Sequence, residues 1–90
     1  MPEVTEEMTV LNSKGMHARP AQRLVKTTLS FNSECFISHN GYRINAKSIM
    51  GVLTLAATQG TRLSVTCTGD DAENAIAALR ELFMSGFGEE

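Results

Sequence analysis

Ninety residues, 42% hydrophobic and 20% charged, with seven Gly and two Pro, are the proportions of one globular domain spanning 1–90. They exclude a two-lobed enzyme, a collagenous chain and a disordered one. The formal net charge of -2 hides a partition in which Glu3, Glu6 and Glu7 open the chain, seven cations face Glu34 alone between residues 8 and 69, and acids return after residue 70 against Arg80.

The first extended run covers residues 4 to 11, where Met8 and Val10 alternate with Thr9 before the polar stretch Asn12-Ser13-Lys14-Gly15. A helix starts at about Ala18, with Pro20 in the first turn and Ala21, Leu24, Val25 and Thr28 at helical spacing. A second strand runs from Ser33 to Ser38, and Asn40-Gly41 then predicts a type I′ hairpin turn into a short return strand, Tyr42 to Asn45. Ser48 stands at the N-cap of a short helix over the apolar segment Ile49 to Ala57, with Gly60 as its stop. Arg62 to Thr68 alternates again. The last helix carries the stripe Ala72, Ala75, Ile76, Leu79, Leu82 and Phe83, with Asp70 as its cap and Glu73 three positions on, and residues 85 to 90 read as a tail.

The order strand, helix, strand, strand, helix, strand, helix, with one apolar face per strand, predicts an α+β fold: an open-faced two-layer sandwich with the helices on one side of the sheet. No apolar run approaches the roughly 18 to 20 residues of a membrane span, and the acidic start is unlike a secretory signal, which sets the expectation at a cytoplasmic protein without membrane insertion. Cys35 and Cys67 show no CxxC and no histidine at ligand spacing, so they read as two inert buried thiols and not as a disulfide framework or a metal site. No cofactor is called for.

The segment that carries chemistry is Gly15-Met16-His17-Ala18-Arg19-Pro20-Ala21. It sets a histidine immediately before a helix N-terminus, where free N–H groups and a partial positive charge favour an anion, with Arg19 in the first turn beside it. A neutral ring nitrogen there suits phosphoryl capture.

These residues, together with Asn45-Ala46-Lys47-Ser48-Ile49-Met50-Gly51-Val52-Leu53, resemble the two signature segments of HPr, the histidine-containing phosphocarrier family of the bacterial phosphoenolpyruvate-dependent phosphotransferase system. The resemblance implies a four-stranded antiparallel sheet of order 1-4-2-3 with three helices on one face (βαββαβα), and a carrier, not an enzyme. It implies that His17 takes a phosphoryl group from enzyme I on Nδ1 and passes it to an enzyme IIA component, and that Arg19 steadies the phosphate. Ser48 matches the serine phosphorylated for regulation by an HPr kinase/phosphorylase in many bacteria. Ala18, Gln22, Arg23 and Lys26 on the first helix and Ile49, Met50 and Leu53 on the second match the family's docking positions. The chain is expected to be a monomer that binds no nucleic acid. The stretch Leu53 to Thr61 and the acidic tail look closer to the nitrogen-related branch, NPr, which is a regulatory alternative not coupled to sugar uptake. The same family order makes the strands of Cys35 and Cys67 neighbours, and whether the thiols touch stays open.

Other classes fit less well. An enzyme using His17 as general base lacks a carboxylate near it in sequence and lacks GxSxG or HExxH. A small RNA-binding α+β module would need stacked aromatics on its sheet, whereas Phe31, Phe36, Tyr42, Phe83 and Phe87 are scattered. A pantetheine carrier armed on Ser48 would have Asp where Lys47 stands.

Overall fold

In the computed structural model, which describes residues 1–89, four strands and three helices follow one another as β1 (Glu3–Thr9), α1 (Ala18–Leu29), β2 (Glu34–His39), β3 (Tyr42–Asn45), α2 (Ile49–Thr54), β4 (Arg62–Thr68) and α3 (Ala72–Met84). A short 3-10 turn at Gly86–Gly88 closes the chain. Every pairing is antiparallel, and the strand order is β1-β4-β2-β3, as the resemblance implies. Period-two alternation turns Leu63, Val65 and Cys67 of β4 and Cys35 and Ile37 of β2 inward, while Arg62, Glu34 and Arg43 stay exposed. Leu24 of α1, Val52 of α2 and Ala75, Ile76, Leu79 and Phe83 of α3 complete the core against them. Each fully buried side chain of leucine or valine size contributes about 1.5 to 3 kcal/mol relative to exposure, and this layer is what holds the helices on the sheet.

The hairpin turn takes left-handed conformations at both Asn40 (φ 50) and Gly41 (φ 83), as a type I′ turn requires. Glu6 lies on the helical side of β1 and accepts from Arg80 Nε at 2.8 Å and Nη2 at 2.7 Å, a bidentate pair between strand and α3. The Arg80 guanidinium holds the Glu6 carboxyl below the usual carboxylate range despite some desolvation.

Four expectations need correction. The first strand occupies Glu3–Thr9, not 4 to 11, because beyond Thr9 the chain bonds to the loop before β4, with Val10 N donating to Thr61 O and Val10 O accepting from Gly60 N. The second helix ends at Thr54, not at Ala57: Ala56 adopts φ 48, and the Ala57 carbonyl is drawn to Met16 N at 2.8 Å. The N-cap of α3 is Asp71, not Asp70. The Asp71 carboxylate does not cap the helix either; it accepts from Asn32 N at 2.8 Å, Ser33 N at 2.9 Å and Ser33 Oγ, tying α3 to the start of β2. Residues 85 to 89 are not a loose tail, since Gly86 and Phe87 are buried; Glu90 lies outside the described residues.

Candidate functional site

The loop between β1 and α1 is shaped by one glycine. Gly15 has φ 71, and a Cβ there would stand 2.5 Å from the Ala57 carbonyl oxygen, so only glycine permits the chain to pass under the α2–β4 connection. Met16 is then pinned by its N–H on Ala57 O, and His17 follows as the N-cap of α1 in an extended conformation, φ -99 and ψ -166. Its carbonyl accepts the first helical bond from Ala21 N at 3.0 Å. The imidazole makes no capping bond and is left for chemistry. Pro20 has no N–H, and Ala18 and Arg19 present theirs at the open end of the helix.

His17 is half-exposed, with 39% of its side chain accessible. Its Nε2 lies 3.1 Å from Glu89 Oε1 and 3.0 Å from Oε2. An ionised carboxylate only accepts, so in the neutral ring Nε2 carries the proton and Nδ1 keeps the lone pair. Glu89 also accepts from Asn12 Nδ2 at 3.0 Å, and the same amide donates to Gly15 O at 2.7 Å, so buried Asn12 links the glycine turn to the carboxylate. Partial burial pushes the Glu89 carboxyl up, but the hydrogen bonds from His17 and Asn12 and the charges of His17 and Arg19 together hold it below the ordinary carboxylate range.

Glu89 arrives by a strap. After α3 the chain turns at Gly86–Gly88, where Phe87 takes φ 60, an uncommon conformation for a bulky residue, and drives its ring into the core edge-on to Phe83, 4.8 Å between centroids. The Arg23 guanidinium donates to the Phe87 carbonyl. A cleft lined by Ser13, Lys14, Arg19, Gly88 and Glu89 opens beside the histidine.

The other expected site residues fall on two packed helices. Ala18, Arg19, Gln22, Arg23 and Lys26 are exposed along α1. On α2, Met50 is 73% and Ile49 39% exposed, so both point outward and not into the core; Leu53 is half-buried against it. Ser48 caps α2, its Oγ accepting from Gly51 N at 3.1 Å. The central cations do not form one patch: Arg43 stacks over Phe36, 4.2 Å to the ring centroid, Arg62 faces Glu7 across the open side of the sheet, and Lys47 Nζ donates to Phe31 O. Asn12 and Glu89 were not marked by sequence reasoning. The available signal was Phe87, one aromatic between two glycines in an otherwise polar stretch.

A family model described as the PTS HPr component phosphorylation site matches residues 4–85. The chain belongs to the HPr family. It is 48% identical over 84 residues to the Phosphocarrier protein HPr of Xylella fastidiosa, covering 93% of this chain and 94% of that one. The crystal structure of HPr-C-His from Thermoanaerobacter tengcongensis matches with a TM-score of 0.89 at 43% identity, covering 100% of this chain and 99% of that one. A Multiphosphoryl transfer protein of Salmonella typhimurium is 38% identical over 89 residues, which are 96% of this chain and 24% of that protein. As a member of the HPr family the chain is a phosphocarrier of the phosphotransferase system and not a catalyst, and its partners are components of that system. Among the described residues no helix is long and apolar enough to cross a membrane.

Proposed function

We propose that the chain receives a phosphoryl group from enzyme I on Nδ1 of His17 and delivers it to an enzyme IIA component. The observation that carries this reading is the His17 ring at the N-terminus of α1 with Nε2 already engaged by Glu89, which leaves Nδ1 as the nucleophilic nitrogen. In each transfer the phosphorus–nitrogen bond of the donor breaks as a phosphorus–nitrogen bond to the acceptor forms, and no proton need leave Nε2. The free Ala18 and Arg19 N–H groups and the Arg19 guanidinium supply donors and positive charge for the phosphoryl oxygens. Exposed Met50 and Ile49 beside the cations of α1 suit brief docking on acidic partners, because an apolar centre gives contact area and the charged rim gives rapid association. Ser48 serves as a regulatory phosphorylation site on the border of that surface.

The test is a chase. The chain is charged with labelled phosphoenolpyruvate and enzyme I, freed of both, and offered separately to IIA components of the sugar and nitrogen branches. Discharge to one of them is the expected result and assigns the branch. Retention of label on the carrier with every IIA component offered would overturn the delivery step.

A further inference from the structure

Cys35 and Cys67 take no part in the phosphoryl site, yet the sheet sets them directly opposite each other. The β2–β4 register pairs Cys35 with Cys67, and their Sγ atoms stand 3.4 Å apart with both residues buried. Opposed residues of an antiparallel pair have Cα atoms about 4.5 to 5.5 Å apart, within the span a disulfide bridges. We propose that Cys35 and Cys67 are a reactive dithiol that closes to a cross-strand disulfide when a peroxide reaches it, an oxidation site between the two central strands of the sheet.

The two sulfurs are not equivalent. Cys67 Sγ donates to Cys35 Sγ, and this hydrogen bond pulls the Cys35 thiol down, with help from the Lys47 charge and against burial and the Asp71 charge, while it pushes Cys67 up. Cys35 is therefore the first thiolate. Its sulfur attacks a peroxide oxygen, the O–O bond breaks, and hydroxide leaves and is protonated to water, so that Cys35 becomes a sulfenic acid. Cys67 sulfur then displaces that hydroxyl, its own proton leaving with it as a second water. The two thiols lose two electrons, and the peroxide gains them.

Access comes from the end of the sheet. Only the Glu34–Thr68 pair lies outside the cysteines on this ladder, and both of those residues line a surface cleft together with Gly69 and Asp71. Opening of that last rung, together with the Glu3–Thr68 pair that holds Thr68 from the β1 side, gives peroxide a route to the sulfurs without unfolding the core. The bond would enclose residues 36 to 66, which include β3, α2 and Ser48, and leave His17 outside the covalent loop.

Purified reduced chain is treated with stoichiometric hydrogen peroxide in native buffer, then denatured, alkylated and weighed, with peptide mapping. The expected product has lost two hydrogen atoms, resists alkylation at both cysteines, yields a linked Cys35–Cys67 peptide and reverts with dithiothreitol. Its melting temperature should rise by roughly 10 to 30 °C, because the crosslink restricts the unfolded chain. Cys35→Ser and Cys67→Ser should each abolish the linked product, and the wild-type mass gives the reading even where a variant folds poorly. Oxygen adducts on a single sulfur without a linked peptide, bonds between chains only, or two thiols still fully alkylated after prolonged exposure would each overturn the proposal.

Discussion

At His17 three sequence-distant groups converge: the ring from the start of α1, the Asn12 amide from the loop before it, and the Glu89 carboxylate from the other end of the chain. In the proposed transfer Glu89 is a positioning residue, one that fixes which ring nitrogen holds the proton without touching the transferred group. Its carboxyl titrates below the ordinary range, so the contact is fully formed above the unfolded value of about 4.3 and is lost as pH falls through the lower folded value. A carboxyl-carbon NMR titration of Glu89 should show that depressed midpoint, and His17→Ala should move it upward, since one lowering partner is gone. An unmoved midpoint in the variant would separate the two residues. The histidine was legible because Gly-Met-His-Ala-Arg-Pro is local, whereas Glu89 was not, because the contact depends on Phe87 anchoring a strap that no periodicity describes.

Among the elements, α2 is the one whose length and exposure shape the proposed partner surface. Its start was legible: a serine followed by an apolar segment is a cap, and Ser48 Oγ does accept Gly51 N. Its end was not, since the apolar letters run on to Ala57 while the chain leaves the helix at Thr54 to give the Ala57 carbonyl to Met16. The same holds at α3, where Asp71 serves Ser33 and Asn32 across the fold and not its own helix. Ser48→Ala should lower unfolding free energy by about 1 kcal/mol in urea titration, the usual value of a lost cap. Ser48→Asp keeps a capping oxygen and places negative charge at a helix N-terminus, so it should melt near wild type. Its anion beside the α1 cations should instead weaken enzyme I binding, more at low salt than at high. Equal affinity of the two forms at low salt would count against that electrostatic account.

For the whole molecule, the charge partition read from the sequence resolves in part into ties, while Arg19, Arg23 and Lys26 stay exposed along α1. The acidic first strand meets Arg80 of the last helix at Glu6 and Arg62 of β4 at Glu7, so opposite ends of the chain hold each other. The two-layer topology was legible because alternation marks which face of each strand is buried and the family resemblance supplies the strand order; the fate of individual cations was not, because side-chain partners are chosen only once the sheet exists. Glu6 and Asp71 join Glu89 in carrying lowered carboxyl pKa values, by the Arg80 bond and the Ser33 bonds respectively. Groups with depressed folded values stabilise above their unfolded values and lose that contribution as pH falls. Thermal midpoints followed by circular dichroism should stay nearly level from about pH 7 to 5 and fall below about pH 4. Glu6→Gln should flatten that acid limb, and a limb of unchanged steepness would remove Glu6 from the explanation.

The central claim is that this fold exists to hold one histidine ready for phosphate. The most direct measurement incubates the chain with enzyme I and labelled phosphoenolpyruvate, maps the label by mass spectrometry under alkaline conditions, and repeats the incubation with His17→Ala. The account predicts one acid-labile phosphoramidate on His17 and no label on the variant. Label that persists in His17→Ala, or that maps to His39 or to a hydroxyl, would contradict it.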